Sequence, residues 1–237
     1  MTELIILSSC YLGPWENNHC EVRSFGAEKL TRYLDSICPQ PVTPCIVSDA
    51  CQETIDVCEQ YNKDHEHTTM YLHLEKSPNV AGSYRLRIGG KDLEVRQHVD
   101  YGNAAWNFAL ASLKTTYPGD CWIGYASPDD MIKPGFYKDL LIELDKIPDD
   151  GPEWAWTDTG RKSPKSRVQE GVYLITGSDI IHRLRSSPQW RGHAGNNHGY
   201  GHDHVYANLL NAEYGPPERI EIWEGYTVMH VPTSFDR

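Results

Sequence analysis

The chain has 237 residues, 39% hydrophobic and 23% charged, which suits a soluble α/β domain and excludes both a fibrous and a disordered chain. Its 33 acidic and 22 basic residues give a formal charge of −11, which excludes a broad basic face for nucleic acid and leaves one local patch, Arg161-Lys162-Ser163-Pro164-Lys165-Ser166-Arg167. No run nears the roughly 20 apolar residues of a membrane span.

Met1-Thr2-Glu3-Leu4-Ile5-Ile6-Leu7 lacks the basic region of a signal peptide, so Leu4 to Ser8 reads as a first strand. A polar loop, Ser9 to Asn18, is expected to follow. Ala27, Leu30, Leu34 and Ile37 recur at helical spacing until Pro39 and Pro41 stop the helix. Val42 to Ser48 is a second strand ending at Asp49, Glu53 to Tyr61 a helix, and Met70 to Leu74 a third strand. Tyr84, Leu86 and Ile88, then Leu93 and Val95, alternate about Gly89-Gly90 and predict an inserted β-hairpin.

Trp106, Leu110 and Leu113 stripe the next helix, with Asn103 as its expected cap. Cys121 to Ala126 is an apolar strand that stops at Ser127-Pro128-Asp129-Asp130, and Phe136, Leu140 and Leu144 mark a helix beyond it. Further strands are expected at Trp154 to Thr157 and Gly171 to Thr176. Val205, Leu209 and Ala212 lie on a short helix after a Gly/His/Asn-rich loop, Gly192 to Gly201. Extended segments close the chain at Ile220 to Trp223 and Tyr226 to Val231. This alternation predicts one α/β domain over residues 1–237, with a central, mostly parallel mixed sheet flanked by helices. Seven cysteines, odd in number and without a CxxC, read as thiols of a cytoplasmic protein.

Asp129 and Asp130 follow a strand, and ligands of open α/β sheets bind beyond the carboxyl ends of strands. Two carboxylates there suit Mg2+ or Mn2+ bound to a phosphate ligand. The alternative is a turn that caps the helix starting near Pro134. His193, His198, His202 and His204 form a second cluster, which a zinc hydrolase would use together with Asp203, although no zinc spacing is met. Trp190 beside them is either a sugar platform or a packing residue.

The succession Tyr101-Gly102-Asn103-Ala104-Ala105-Trp106-Asn107, Gly119-Asp120, Cys121 to Ala126, Ser127-Pro128-Asp129-Asp130 and Pro134-Gly135-Phe136 resembles the family 2-like glycosyltransferases of the GT-A fold. The likeness is clearest over residues 99–145. It implies a metal-dependent enzyme that moves a hexosyl or pentosyl group from a UDP- or GDP-sugar to an acceptor, with inversion. A nucleotide-binding half would span residues 1–130 and an acceptor-binding half 131–237. By resemblance, Ser9, Tyr11, Asp49, Gly102, Asn103, Asn107 and Asp129 bind the nucleotide-sugar; Tyr11 would stack on the base and Asp49 bond the base or ribose. Asp129, Asp130 and the late-strand His230 would hold Mn2+ or Mg2+, and Asp203 would be the general base. Ser127 departs from the family, which carries its first aspartate there. The Gly192 to Gly201 loop would close over donor and acceptor. Apart from the resemblance, the basic run Arg161 to Arg167 reads as a solvated loop, or alternatively as a contact for a phosphate of the donor or of a charged acceptor, nucleic acid being a minor case. A metal-dependent hydrolase, a nucleotidyltransferase and a non-catalytic nucleotide binder are the competing readings.

Overall fold

The computed structural model describes residues 2–16, 22–24, 26–66, 68–81, 83–88, 90–97, 102–117, 119–128, 130–157, 167–191, 202–222 and 228–230. The first half runs β1 (Leu4–Cys10), β2 (Pro14–Glu16), β3 (Val22–Ser24), α1 (Gly26–Ile37), β4 (Thr43–Asp49), α2 (Gln52–Asp64), β5 (Met70–Leu74), α3 (Pro78–Ala81), β6 (Tyr84–Ile88), β7 (Lys91–Gln97) and α4 (Asn103–Thr116). The second runs β8 (Trp122–Tyr125), β9 (Asp130–Ile132), α5 (Phe136–Leu144), β10 (Trp154–Thr157), β11 (Arg167–Gln169), β12 (Val172–Leu174), a 3-10 turn (Gly177–Asp179), β13 (Ile180–Arg183), α6 (His202–Tyr214), β14 (Glu218–Ile220) and β15 (Val228–His230).

Seven strands form the central sheet in the order β14-β10-β13-β8-β1-β4-β5. All run in one direction except β13, which pairs antiparallel with both β8 and β10. The expected mostly parallel mixed sheet with flanking helices is therefore present. β1 is buried on both faces, as an inner parallel strand must be. Leu4 and Ile6 pack with residues of α1, α2 and α5 on one face. Ile5 and Leu7 pack with α4 and α6 on the other. Each such buried side chain contributes about 1.5–3 kcal/mol of apolar transfer energy. Gly124 in β8 makes room for this packing, because a Cβ there would stand 2.8 Å from Ile6 Cδ1.

Four differences from the sequence reading have physical causes. The expected polar loop after β1 contains β2, which pairs parallel with β7, so the predicted hairpin β6–β7 belongs to a four-stranded sheet, β3-β2-β7-β6. An unpaired hairpin edge exposes backbone donors, and β2 covers it. α4 turns Ala105 and Ala109 to the sheet with Leu110 and Leu113, leaving Trp106 half-buried. The small alanines bring this helix close to the strands. Gly102 (φ 86°), not Asn103, is the cap of α4. Finally, β13 and β11 lie in short runs whose period is too brief to separate strand from loop.

Candidate active site

The parallel strands bring the ends of β1, β4 and β8 to one edge of the sheet, where open α/β folds bind ligands. At the end of β1, Ser9 faces Gly102. A Cβ at position 102 would stand 2.9 Å from Ser9 Oγ, and φ there is +86°. Only glycine satisfies both the left-handed backbone and this approach. Asn103, buried at 7% exposure, then opens α4, whose N-terminal amides favour negative charge at this edge.

Asp49 ends β4 and is 6% exposed. The next residue, Ala50, has φ 49°, an uncommon conformation for a residue with a Cβ. Arg96 on β7 holds both carbonyls: its Nη1 donates to Asp49 O and its Nη2 to Ala50 O at 2.7 Å. The Asp49 carboxylate lies 3.9 Å from the same guanidinium. The guanidinium carbon also sits 3.6 Å from the Tyr11 ring centroid, and Tyr11 Oη donates to Glu94 O at 3.4 Å. Burial raises the Tyr11 pKa, opposed by the Arg96 charge. The sequence reading missed Arg96. Period-2 alternation assigns Val95 to the inside and Arg96 to the outside, yet both are buried, and no local sequence signal marks the exception.

The acidic turn follows β8. Ala126 N–H donates to Leu7 O at 3.1 Å, and Asp130 N–H closes the turn on Ser127 O at 3.1 Å. Asp129 lies outside the described residues. Asp130 is buried at 2% exposure and begins β9, where its Cα partner is His230 of β15. The side chain of His230 lies outside the described residues. The helix-cap alternative fails for Asp130: α5 begins at Phe136 behind its own cap, Gly135 (φ 86°). Among the described residues no group of three or more His, Cys, Asp or Glu side chains is placed to hold a metal.

On the other side of the edge, Asp203 stands in the first turn of α6. Its Oδ2 accepts the Gly177 N–H at 2.9 Å, joining α6 to the 3-10 turn. His204 Nδ1 lies 3.1 Å from Ile175 O, a packing contact; His193, His198, the Gly192 to Gly201 loop and the side chain of His202 lie outside the described residues. Asn107 exchanges two hydrogen bonds with the Trp190 backbone, at 3.0 and 2.8 Å, and so clamps that segment to α4. Trp190 has the packing role: it is 2% exposed and stacked on Tyr206 with ring centroids 3.8 Å apart.

That stack belongs to a buried polar network. His182 Nε2 is 2.8 Å from Tyr125 Oη and 3.1 Å from Tyr206 Oη, and Trp190 Nε1 donates to Tyr125 Oη at 3.0 Å. His182 Nδ1 is 2.9 Å from Arg183 O, a carbonyl that requires the proton on Nδ1 and leaves Nε2 as acceptor. Burial lowers the His182 pKa to about 4. The six described cysteines are all buried and free, and burial raises Cys45, Cys58 and Cys121 to about 12, which leaves them as inert thiols.

This mostly parallel seven-stranded sheet flanked by helices is an α/β fold of GT-A type. Among solved structures, Staphylococcus aureus TarS 1-349 is similar with a TM-score of 0.56 at 14% identity, over 96% of this chain and 59% of that one. The chain thus spans about three fifths (59%) of that structure's length. The 4-diphosphocytidyl-2C-methyl-D-erythritol synthase of Anaerococcus prevotii gives 0.49 at 7% identity, over 99% of this chain and 94% of that one. The mannosyltransferase PcManGT of Pyrobaculum calidifontis, in complex with GDP-Man and Mn2+, gives 0.49 at 13% identity, over 94% of this chain and 58% of that one. At these identities the likeness concerns the fold. No protein-family model matches the chain, and no curated protein does.

Proposed function

We propose that this protein is a metal-assisted glycosyltransferase that moves a sugar from a UDP- or GDP-sugar to an acceptor hydroxyl. The observation that carries this reading is the opposition of Asp130 and His230 across β9 and β15, directly after the Ser127–Asp130 turn. Opposed residues of an antiparallel pair share one face, so a carboxylate and an imidazole position meet at the ligand-binding edge. Carboxylate oxygens suit Mn2+ or Mg2+, so Asp130 would hold the ion, with Asp129 from the turn and the opposed position His230 completing the set. When bound, the metal supplies positive charge to the leaving diphosphate.

The rest of the edge supplies binding and proton transfer. Asp49, Arg96 and Tyr11 form the nucleoside side, and the Gly102–Asn103 start of α4 lies beside Ser9 where negative charge is favoured. Asp203 is the base that takes the acceptor's proton as its oxygen attacks the anomeric carbon; a single displacement of this kind inverts that centre. Its Oδ2 bond to Gly177 fixes the carboxylate's orientation. The domain division at residue 130 and a cytoplasmic setting belong to the same reading.

Paired substitutions test it. Asp129→Asn is expected to abolish donor-dependent transfer while leaving the melting temperature within about 2 °C. Asp203→Asn retains an oxygen that accepts from Gly177, so it is expected to keep donor binding and lose transfer by about 100-fold or more. Full transfer by either variant removes the corresponding assignment. Consumption of a nucleoside triphosphate in place of a nucleotide-sugar would establish a nucleotidyltransferase instead.

A further inference from the structure

The central sheet ends on β14, and the β11–β12 hairpin stands beside that edge. Between them lies a groove of about 460 Å³ lined by Trp156, Arg167, Val168, Tyr173, Pro217 and Arg219. None of these residues has a part in the donor site described above.

The groove has one fixed wall. Tyr173 N–H donates to Asn208 Oδ1 at 3.2 Å and Asn208 Nδ2 donates to Tyr173 O at 2.9 Å, which ties β12 to α6. The Tyr173 ring meets Trp154 edge-on with centroids 5.2 Å apart. Glu170 (φ 50°) and Gly171 (φ 79°) are both left-handed, the backbone of a tight two-residue hairpin turn. Held in this way, β11 presents Arg167 and Val168 to solvent.

The other wall carries a second cation. Arg219 is the Cα partner of Trp156 in the parallel pair β10–β14. Its guanidinium carbon lies 5.2 Å from the Trp156 ring centroid. A guanidinium resting on an aromatic face keeps its planar fork oriented, and its N–H groups remain available at the rim. Glu221 lies 3.8 Å away, but both side chains are exposed, so water competes well with that pair. Two arginines line the groove, Arg219 resting over the Trp156 ring, and together they suit a carboxylate or phosphate carried on a saccharide.

The position relative to the site is equally specific. β10 and β14 run parallel to β8 and β1, so Trp156 and Arg219 approach the same edge as Asp49 and Asp130. From Tyr173 the chain reaches Gly177, the partner of Asp203, in four residues, a path of at most about 14 Å. The connection from Thr157 to Arg167 carries Arg161, Lys162 and Lys165 in a chain whose formal charge is −11. Positive charge is thus concentrated on the segment that borders this groove in sequence.

We propose that the β11–β14 groove binds the charged saccharide portion of the acceptor, so that the acceptor is an anionic glycan. The word acceptor rests on the glycosyltransferase reading; binding of an anionic glycan does not. The test uses the full chain and three sets of oligosaccharides of matched length: neutral, uronate-containing and phosphate-bearing. Binding is measured directly at low and high salt, with single-stranded DNA as a fourth probe. Thermal shift with UDP- and GDP-sugars in Mn2+ reports separately on the donor site.

At least one anionic set is expected to bind about tenfold or more tightly than the neutral set, and the preferred set identifies carboxylate or phosphate as the recognised group. The Arg167→Gln/Arg219→Gln variant is expected to lose about tenfold or more of that affinity, with its donor response and melting temperature unchanged. Equal binding of all three sets, binding of none, or an unaffected double variant overturns the proposal. Preference for DNA over every glycan overturns it as well. Anionic-glycan binding without any donor response leaves the groove assigned and removes the transferase reading, whereas a donor response without glycan binding does the reverse.

Discussion

Arg96 reaches from β7 to lay its guanidinium carbon 3.6 Å from the Tyr11 ring centroid while its two terminal nitrogens hold the carbonyls of Asp49 and Ala50. One face of the Tyr11 ring is therefore covered from within the protein. A base that stacks on Tyr11 must use the other face, over a ring whose position is already set.

Arg96→Gln should accordingly weaken nucleotide binding by about tenfold, since it removes the cation–π contact and the fork that orients the end of β4. Arg96→Lys restores a charge without the planar fork and should recover less than half of that loss in free energy. Calorimetry with UDP and GDP in Mn2+ measures both, alongside thermal melts that exclude unfolding. Nucleotide affinity that is indifferent to Arg96 would detach the hairpin from the donor site.

Gly102 makes a prediction about stability. Alanine there must adopt φ +86° and place its Cβ 2.9 Å from Ser9 Oγ and 3.1 Å from Ser9 Cβ. The backbone cost alone is about 1–3 kcal/mol, and the close contact adds to it. Because Ser9 Cβ is one of the crowded atoms, Ser9→Ala should not rescue Gly102→Ala. Urea midpoints of the single and double variants check this, and a Gly102→Ala chain as stable as the parent refutes it.

These residues mark where the sequence was informative. The inner strands β1, β4 and β8 were legible because a strand buried on both faces has to be an apolar run, and Leu4-Ile5-Ile6-Leu7 allows little else. Asp49 could be placed at a strand end, and Asp130 in the turn after β8, for the same reason. Arg96 could not, because its burial depends on β2 pairing with β7 and on Tyr11, contacts distant in the chain. His182 was hidden similarly: Ile180–Arg183 reads as any short apolar run, and its role comes from Tyr125 and Tyr206 meeting across the fold. Asn107 stands at a motif position, and the structure adds a contact no local signal announces: its amide clamps the Trp190 backbone.

The Asp130–His230 pairing leads to a metal-dependence test. In the parent, Mn2+ should tighten binding of a nucleoside diphosphate by about tenfold or more, because an ion held by Asp130 and its neighbours would offset the diphosphate charge. Asp130→Asn and His230→Gln should each reduce that enhancement and leave metal-free nucleotide binding, which depends on the Asp49 side, nearly unchanged. Titrations with and without Mn2+ separate the two quantities. An enhancement that survives both substitutions would move the metal away from this strand pair.

His182 gives the last prediction, a pH dependence of folding. Its imidazole is fully buried and its pKa falls to about 4 because burial disfavours the charged ring, partly offset by the Arg183 carbonyl. An unfolded histidine titrates near about 6.5. Above that pH both states are neutral and the contribution to stability is complete. Between about 6.5 and about 4 the unfolded chain takes up the proton and the folded chain does not, so stability declines as pH falls, by up to about 3 kcal/mol. His182→Gln should be less stable than the parent at pH 7, because Tyr125 and Tyr206 lose a fitted acceptor, yet it should lose less further stability between pH 6.5 and pH 4. Urea midpoints across that range measure the two slopes, and their difference removes the contribution of acidic groups common to both proteins. Equal slopes would mean that His182 is protonated in the fold. In that case the ring could not accept from either tyrosine, and the link from β8 through β13 to the helix of Asp203 would need another explanation.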